Sequence, residues 1–570
     1  MKNRTLKTAL LSTVAMLAVA ATVASIRPVI ADNDHDHDGD DHVVNPNQLK
    51  TKTKIKHLVI VFNENRSFDH YFGTYPNALN LEGEPVFEPA PNTPRNINNL
   101  LTPALLDNNP NVNAGNGAGS SGPFRLDRTQ ANTRSQNHAY TPEQLAFDGG
   151  KMDLFPAWTG AGTAGGSGAF GTTGQVMGIF DGNTVTAYWN YAQNFAMSQN
   201  MWGDTFGPST PGLLNMFGGN TNGVVPGLGT STNELPDGNG GITLIGDIDP
   251  TGDVCSSTTT TVSMSGKNIG DLLNSKKIPW GSFFGGFNLL TMNENGSIGC
   301  ARSTQSAVIP GNPIGDYIPH HIWNQYYPST ANPMHLRPTK PIGQQDQANH
   351  AYDLQDFFAA VGSGNFPAVS FIKMAAFQDE HPGNSDPLDA QTGFVNLVNF
   401  LMEQPDWEST AVILTFDDSD GWYDHAFVPP AHGSFSTALT QTVHNNGGPG
   451  MLVAADQLNG PGACGTAGSA PNGVKGLPVN GRCGVGPRLP FLVISPWAKQ
   501  NFVSNVFITQ ASIPQFIEDN WLNGERIGGG SFDATTGSIM DLFDFNTKKS
   551  KVLFLDPMSG TIDSSRTIKN

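Results

Sequence analysis

The sequence predicts an α/β protein with a mostly parallel central sheet. Residues 58–62 (LVIVF) and 411–416 (AVILTF) are unbroken apolar runs. They lack the polar alternation of a strand with one wet face, so each reads as a strand buried on both sides. Residues 368–374 and 489–494 read as two further strands, and apolar residues at helical spacing recur along the chain at 184–201, 393–403 and 513–522. Alternating strand and helix builds a parallel sheet with helices on its faces. A chain of 570 residues is ample for such a core.

In chain order, Lys2, Arg4 and Lys7 precede an apolar run at 8–26, and Val29-Ile30-Ala31 ends in a small residue. This is the pattern of a secretory signal over 1–31, so the protein is expected to be secreted or periplasmic, with no stable membrane span once the signal is removed. Residues 32–50 open with DNDHDHDGDDH and are expected to be a disordered acidic linker. The catalytic body is placed at 51–545 and a tail at 546–570. The formal charge is −18, and loss of Lys2, Arg4, Lys7 and Arg27 with the signal leaves 27 basic against 49 acidic residues. Binding along a nucleic-acid backbone is therefore excluded. Four cysteines in an exported chain suggest two disulfides, and sequence proximity favours Cys255 with Cys300 and Cys464 with Cys483.

The first strand delivers Glu64 and Asn65 at its carboxyl end, where open α/β sheets place ligands. The strand at 411–416 delivers Asp417 and Asp418 in the same way. If the two strands are neighbours, these four oxygen ligands can surround one divalent cation. Between them, Thr141 can cap a short helix just after His138. Ser209-Thr210-Pro211 then opens the apolar run 213–217, which Gly218-Gly219 ends. A hydroxyl is thus expected at the positive end of a helix, where anions bind. Residues 268–275 read as a helix feeding a strand at 278–284, and 353–361 as a further helix. His320, His321, His335 and His381 lie in loops.

Six stretches together resemble the phosphoesterase family of bacterial non-specific phospholipases C and acid phosphatases, in the alkaline phosphatase superfamily. They are HLVIVFNENRSFDHYFGTYP, GPSTPG, IPHHIWNQYYPSTANP, FQDEHPG, LTFDDSDGWYDH and RLPFLVISPWA. The resemblance implies an alkaline-phosphatase-like three-layer α/β sandwich with long loop insertions. Glu64, Asn65, Asp417, Asp418 and the Ser209 hydroxyl match the ligands of a single metal, which oxygen donors leave open between magnesium, manganese, calcium, zinc and iron. Ser209 matches the nucleophile, with Thr210 as its rival. His138, His320, His321 and His381 match phosphate-facing histidines, whereas His335, His350 and His425 match no role and are assigned to packing or surface.

Where the phospholipase branch carries GPTxPNR, this chain has Ser209 for Thr and Gly212-Leu213 for Asn-Arg. The missing guanidinium tilts the expectation towards an acid phosphatase with a phosphoserine intermediate. A phospholipase C acting on phospholipid head groups is the alternative, and an exported metal- or phosphate-binding protein is the alternative of another class. A sulfatase is disfavoured because Ser209-Thr210-Pro211 lacks the arginine of that motif.

Overall fold

The computed structural model describes residues 44–311, 313–458, 464, 470–547 and 552–566. The expected signal segment, and 32–43 of the acidic linker, lie outside them. The chain divides into Met1–His42 and Val43–Asn570, of which the second holds all the described residues.

Eight strands form the main sheet: β1 (His57–Asn63), β2 (Ala196–Ser198), β3 (Trp280–Phe284), β4 (Ala351–Asp353), β5 (Val369–Lys373), β6 (Thr410–Phe416), β7 (Phe491–Ile494) and β8 (Phe502–Ser504). Their spatial order is β4-β3-β5-β1-β6-β7-β2-β8. Only β7 runs against its neighbours; every other pairing is parallel. The central pair, β1 and β6, is buried at every residue, as their unbroken apolar runs require.

The helices that frame the sheet are α1 (Phe68–Phe72), α2 (Tyr140–Phe147), α3 (Thr186–Asn194), α4 (Ser209–Gly218), α5 (Ile269–Ser275), α6 (Leu354–Gly362), α7 (Pro387–Met402) and α8 (Ser512–Trp521). Successive strand residues face opposite sides, and ring contacts show helices on both. Phe371 of β5 meets Phe217 of α4 edge-on, and Phe62 of β1 meets Trp323. On the other face Phe416 of β6 meets Tyr71 of α1, which stacks on Tyr188 of α3, and Tyr188 meets Phe394 of α7. The expected three-layer sandwich is present.

The helix expected over 184–201 is shorter. It ends at Asn194, and 196–198 pair with β7, Met197 opposite Leu492, so sheet pairing overrides helical spacing. Conversely, α7 starts at Pro387, ahead of the expected 393. Asp386 caps it by accepting from the Leu388 and Asp389 N–H groups, and Pro387 suits a first turn. Thr141 does not cap α2; its hydroxyl donates to the Ala455 carbonyl. Residues 46–48, in the segment expected to be disordered, form a 3-10 turn. Residues 552–566, expected as a tail, bury Leu553 and Leu555 and bond to Asn399 of α7. Both disulfides join the expected partners, Cys255 with Cys300 and Cys464 with Cys483.

Candidate active site

The parallel register of β1 and β6 sets Asn63 opposite Phe416, so the residues that follow each strand emerge side by side. Glu64, Asn65, Asp417 and Asp418 are all buried there. Asn65 turns through the left-handed region at φ 52°, a conformation Asn tolerates better than most side chains. One heteroatom of its carboxamide lies 2.6 Å from Glu64 Oε2 and 3.0 Å from Asp417 Oδ1. As nitrogen it donates to both; as oxygen it joins them in a set of acceptors of the kind a hard cation takes.

Ser209 is the first residue of α4, and its hydroxyl donates to Glu64 Oε2 (2.8 Å), with Asp418 Oδ2 at 3.3 Å. Helix α4 therefore points its positive end at the same carboxylates. Thr210 faces elsewhere: its N–H and hydroxyl both lie 2.9 Å from Asp247 Oδ1. Gly212, one turn after Ser209, packs against the Asp417 carbonyl so closely that a Cβ would lie 2.0 Å from that oxygen. The Gln510 side chain donates to the same carbonyl.

The four expected histidines line one rim. His320 meets His321 edge-on, His321 stacks at 6.1 Å on His381, and His381 meets His138 at 6.0 Å. His138 Nδ1 lies 2.9 Å from the Gln136 carbonyl and 3.0 Å from Asp420 Oδ1, while Nε2 faces Asn65 at 3.5 Å. Burial opposes charge on His138, but Asp418 and Asp420 outweigh it and hold its pKa well above the usual value. Burial also opposes charge on His320, where Asp249 (3.3 Å), Asp247 and Glu64 prevail and raise the pKa. His320 is the more open of the two, its side chain 31% exposed. His321 and His381 are pushed the other way by burial, helped at His321 by the neighbouring His320 and Lys373.

His335 stacks on Phe287 with its Nε2 3.2 Å from the Asp253 carboxylate, and His350 stacks on Trp280. His425 joins Asp69 (2.6 Å) in a buried cluster with Arg488 and Asp424.

Several residues at the site escaped the sequence reading. Lys373, the last residue of β5, places its ammonium against Glu64 Oε1 and 3.2 Å from Asp417 Oδ2. Its signal was a lone cation at the carboxyl end of a buried strand. Asp420 orients His138. Asp379 lies 3.6 Å from His321, and burial above all raises its pKa to about 8. Glu143 accepts from the Ser419 hydroxyl (2.9 Å) and the Gly207 N–H (3.0 Å), tying α2 to the loop that carries Asp418 and to the turn that leads into α4.

The buried oxygens of Glu64, Asn65, Asp417 and Asp418 are donors of the type a hard divalent cation takes. Burial raises the pKa values of Asp417 and Asp418 well above the carboxylate range, and mutual repulsion with Glu64 adds to it. Among the described residues, Lys373 is the ammonium paired with these acids, and the excess negative charge is of the kind a hard cation neutralises. At this end of the sheet, the side chains whose ligand atoms lie within 4.8 Å of one another are Glu64 with His321 and Asp379, and His138 with His381 and Asp420.

The Phosphoesterase family profile matches residues 55–522. Phospholipase C B of Mycobacterium tuberculosis is 23% identical over 461 residues, covering 78% of this chain and 69% of its own length. Phospholipase C A of the same organism is 24% identical over 467 residues with the same coverage. A non-hemolytic phospholipase C of Burkholderia pseudomallei is 32% identical over 160 residues, 28% of this chain and 19% of its own. A solved alkaline phosphatase superfamily protein from Vibrio parahaemolyticus aligns over 82% of this chain and 91% of its own at 11% identity. Its TM-score of 0.27 is too low to bear on the fold.

Proposed function

The chain belongs to the Phosphoesterase family and is a phosphoric ester hydrolase; from that premise we propose an exported, metal-dependent enzyme of acid phosphatase type that works through a phosphoserine at Ser209. The observation that carries this reading is the Ser209 hydroxyl, held in the first turn of α4 against Glu64 and Asp418 beneath a rim of four histidines.

Glu64, Asn65, Asp417, Asp418 and Ser209 would hold one divalent cation, which when bound supplies positive charge to phosphoryl oxygens and lowers the pKa of the serine hydroxyl. Ser209 passes its proton to the Glu64 or Asp418 carboxylate as Oγ attacks phosphorus. The Oγ–P bond forms while the ester P–O bond breaks on the opposite side. His138 donates from Nε2 to a phosphoryl oxygen, its Nδ1 fixed by Gln136 and Asp420, and the α4 dipole favours the same charge. His320, at the open end of the rim, protonates the leaving alkoxide. Water then attacks the phosphoserine and gives its proton to the now neutral His320, while the Oγ–P bond breaks, phosphate leaves and Glu64 or Asp418 returns the proton to Ser209 Oγ.

The acid phosphatase assignment is supported at Gly212 and Leu213. The first has no room for a side chain beside Asp417, and the second is fully buried, so neither supplies the guanidinium of the phospholipase pattern. Phospholipase C is the second reading, favoured by the Mycobacterium tuberculosis phospholipases C that align over 78% of this chain.

The deciding experiment measures p-nitrophenyl phosphate and p-nitrophenylphosphorylcholine turnover across pH, with and without chelator, for the wild type and Ser209→Ala. The expected result is faster monoester turnover at acid pH, lost with chelator and reduced about 10⁴-fold or more in the variant. Faster phosphorylcholine turnover selects the phospholipase C. An active Ser209→Ala moves the nucleophile to Thr210, and inertness of the wild type towards both compounds leaves a binding protein.

A further inference from the structure

Glu64 presents its two carboxylate oxygens to different partners. Oε2 accepts from the Ser209 hydroxyl at 2.8 Å and lies 2.6 Å from the Asn65 carboxamide, whereas Oε1 meets the Lys373 ammonium. Asp417 is divided in the same way. Its Oδ1 lies 3.0 Å from the Asn65 carboxamide and accepts from the Asp418 N–H at 2.8 Å, and its Oδ2 is 3.2 Å from Lys373 Nζ. The two carboxylates therefore have a side shared with Ser209 and Asn65, and another side occupied by Lys373.

The Lys373 side carries a donor set of its own. His321 Nδ1 is 3.1 Å from Glu64 Oε1 and 3.6 Å from Asp379 Oδ2, and all three residues are buried. The Glu64 N–H donates to the Asp379 carbonyl at 2.7 Å, which fixes these two acids beside each other. Asp379 Oδ1 accepts from the His381 N–H at 3.0 Å, but Oδ2 is buried without a hydrogen-bond partner. Such an oxygen is costly to bury unless a cation stands by it. Two carboxylates and an imidazole are a donor set that takes divalent metals.

A cation is already there. Lys373 ends β5, the neighbour of β1, and its side chain is 2% exposed. Burial opposes its charge, which Asp417, Glu64 and Asp379 together uphold. Ionised, Glu64, Asp417 and Asp418 carry three negative charges, which one ammonium and one divalent cation balance. Without the ammonium one charge is left unmatched, and Asp379 and His321 stand ready to complete the ligands of another ion.

We propose that the Lys373 ammonium holds the place of a second cation, so that the centre takes one divalent ion where the bare donor set would take two. The inference rests on the metal-dependent hydrolase reading and names the residue that limits the site to a single ion. The test is the number of Mn²⁺ ions bound per chain, by equilibrium dialysis with elemental analysis, for the full chain, Lys373→Met and Lys373→Met/Asp379→Asn. Met keeps an unbranched side chain without the charge. Electron paramagnetic resonance, thermal melts with and without Mn²⁺, and p-nitrophenyl phosphate turnover are run on each protein. The expected result is one ion in the wild type and two in Lys373→Met, magnetically coupled because Glu64 offers an oxygen to each, and one again once Asp379→Asn is added. The melt of Lys373→Met should gain more from Mn²⁺ than that of the wild type. Two ions in the wild type, or none in either protein, overturn the proposal. So does a Lys373→Met chain that binds one ion, that binds two without coupling, or that stays unfolded with Mn²⁺ present. A coupled pair in Lys373→Met beside a wild type that turns over no phosphate ester leaves the cation place standing and removes the hydrolase reading.

Discussion

Gly212→Ala is the smallest change that tests how the site is assembled. The added Cβ would lie 2.0 Å from the Asp417 carbonyl oxygen, 2.7 Å from its carbon and 3.0 Å from Gln510 Nε2. Since Cβ atoms essentially never come within 3.0 Å of a neighbour, α4 and the end of β6 must part by at least 1.0 Å. Neither side yields easily, because the obstruction is backbone held by Gln510 and by the central sheet. Overpacking of this kind costs about 1–3 kcal/mol of stability. The larger effect falls on rate. Ser209 shares the first turn of α4 with Gly212, so the same movement carries its hydroxyl away from Glu64 and Asp418, and a misplacement of about 1 Å costs roughly 10²-fold. The assay is kcat on p-nitrophenyl phosphate beside a thermal melt, with Gly362→Ala in α6 as control. There the new Cβ meets only Phe400, at 3.9 Å, so it should leave kcat unchanged. A Gly212→Ala enzyme with wild-type kcat would refute the close approach of α4 to Asp417 as a determinant of the site.

Two further outcomes concern pH. Because the pKa of His320 is raised, its protonated form persists at acid pH and is lost as pH rises through that value. The wild-type kcat should fall on the alkaline side, and His320→Gln should be about 10²-fold slower with that limb flattened, read from kcat against pH. His425 is likewise raised, burial opposing and Asp69 prevailing. Its ion pair is therefore fully present below the ordinary histidine value of about 6.5 and is lost as pH rises through the raised one. His425→Asn should cost about 3 kcal/mol in acid, and the gap in melting temperature from wild type should narrow towards alkaline pH.

The sequence by itself determined the parts whose signals are local. Two unbroken apolar runs identified buried strands, and the residues just past them, Glu64-Asn65 and Asp417-Asp418, could be named because a strand has to end where its apolar run ends. Pro211 and Gly219 bounded α4 for equally local reasons: a fixed φ at its start and a left-handed φ of 62° at its close. What the tertiary structure decided were relations between distant residues. That β1 and β6 are adjacent and in register is a matter of pairing across some 350 positions, which no periodicity encodes. Ser209 turns to Glu64 while Thr210 turns to Asp247, a distinction set by which partner each helical position faces. Lys373 ends a buried strand, and the pairing of β5 beside β1 is what brings its ammonium to Glu64 and Asp417, while 196–198 keep helical spacing yet pair as a strand. Local sequence fixes what a segment can do, whereas the burial of charges such as Glu64, Asp417 and Lys373 against one another exists only once the chain has closed around them.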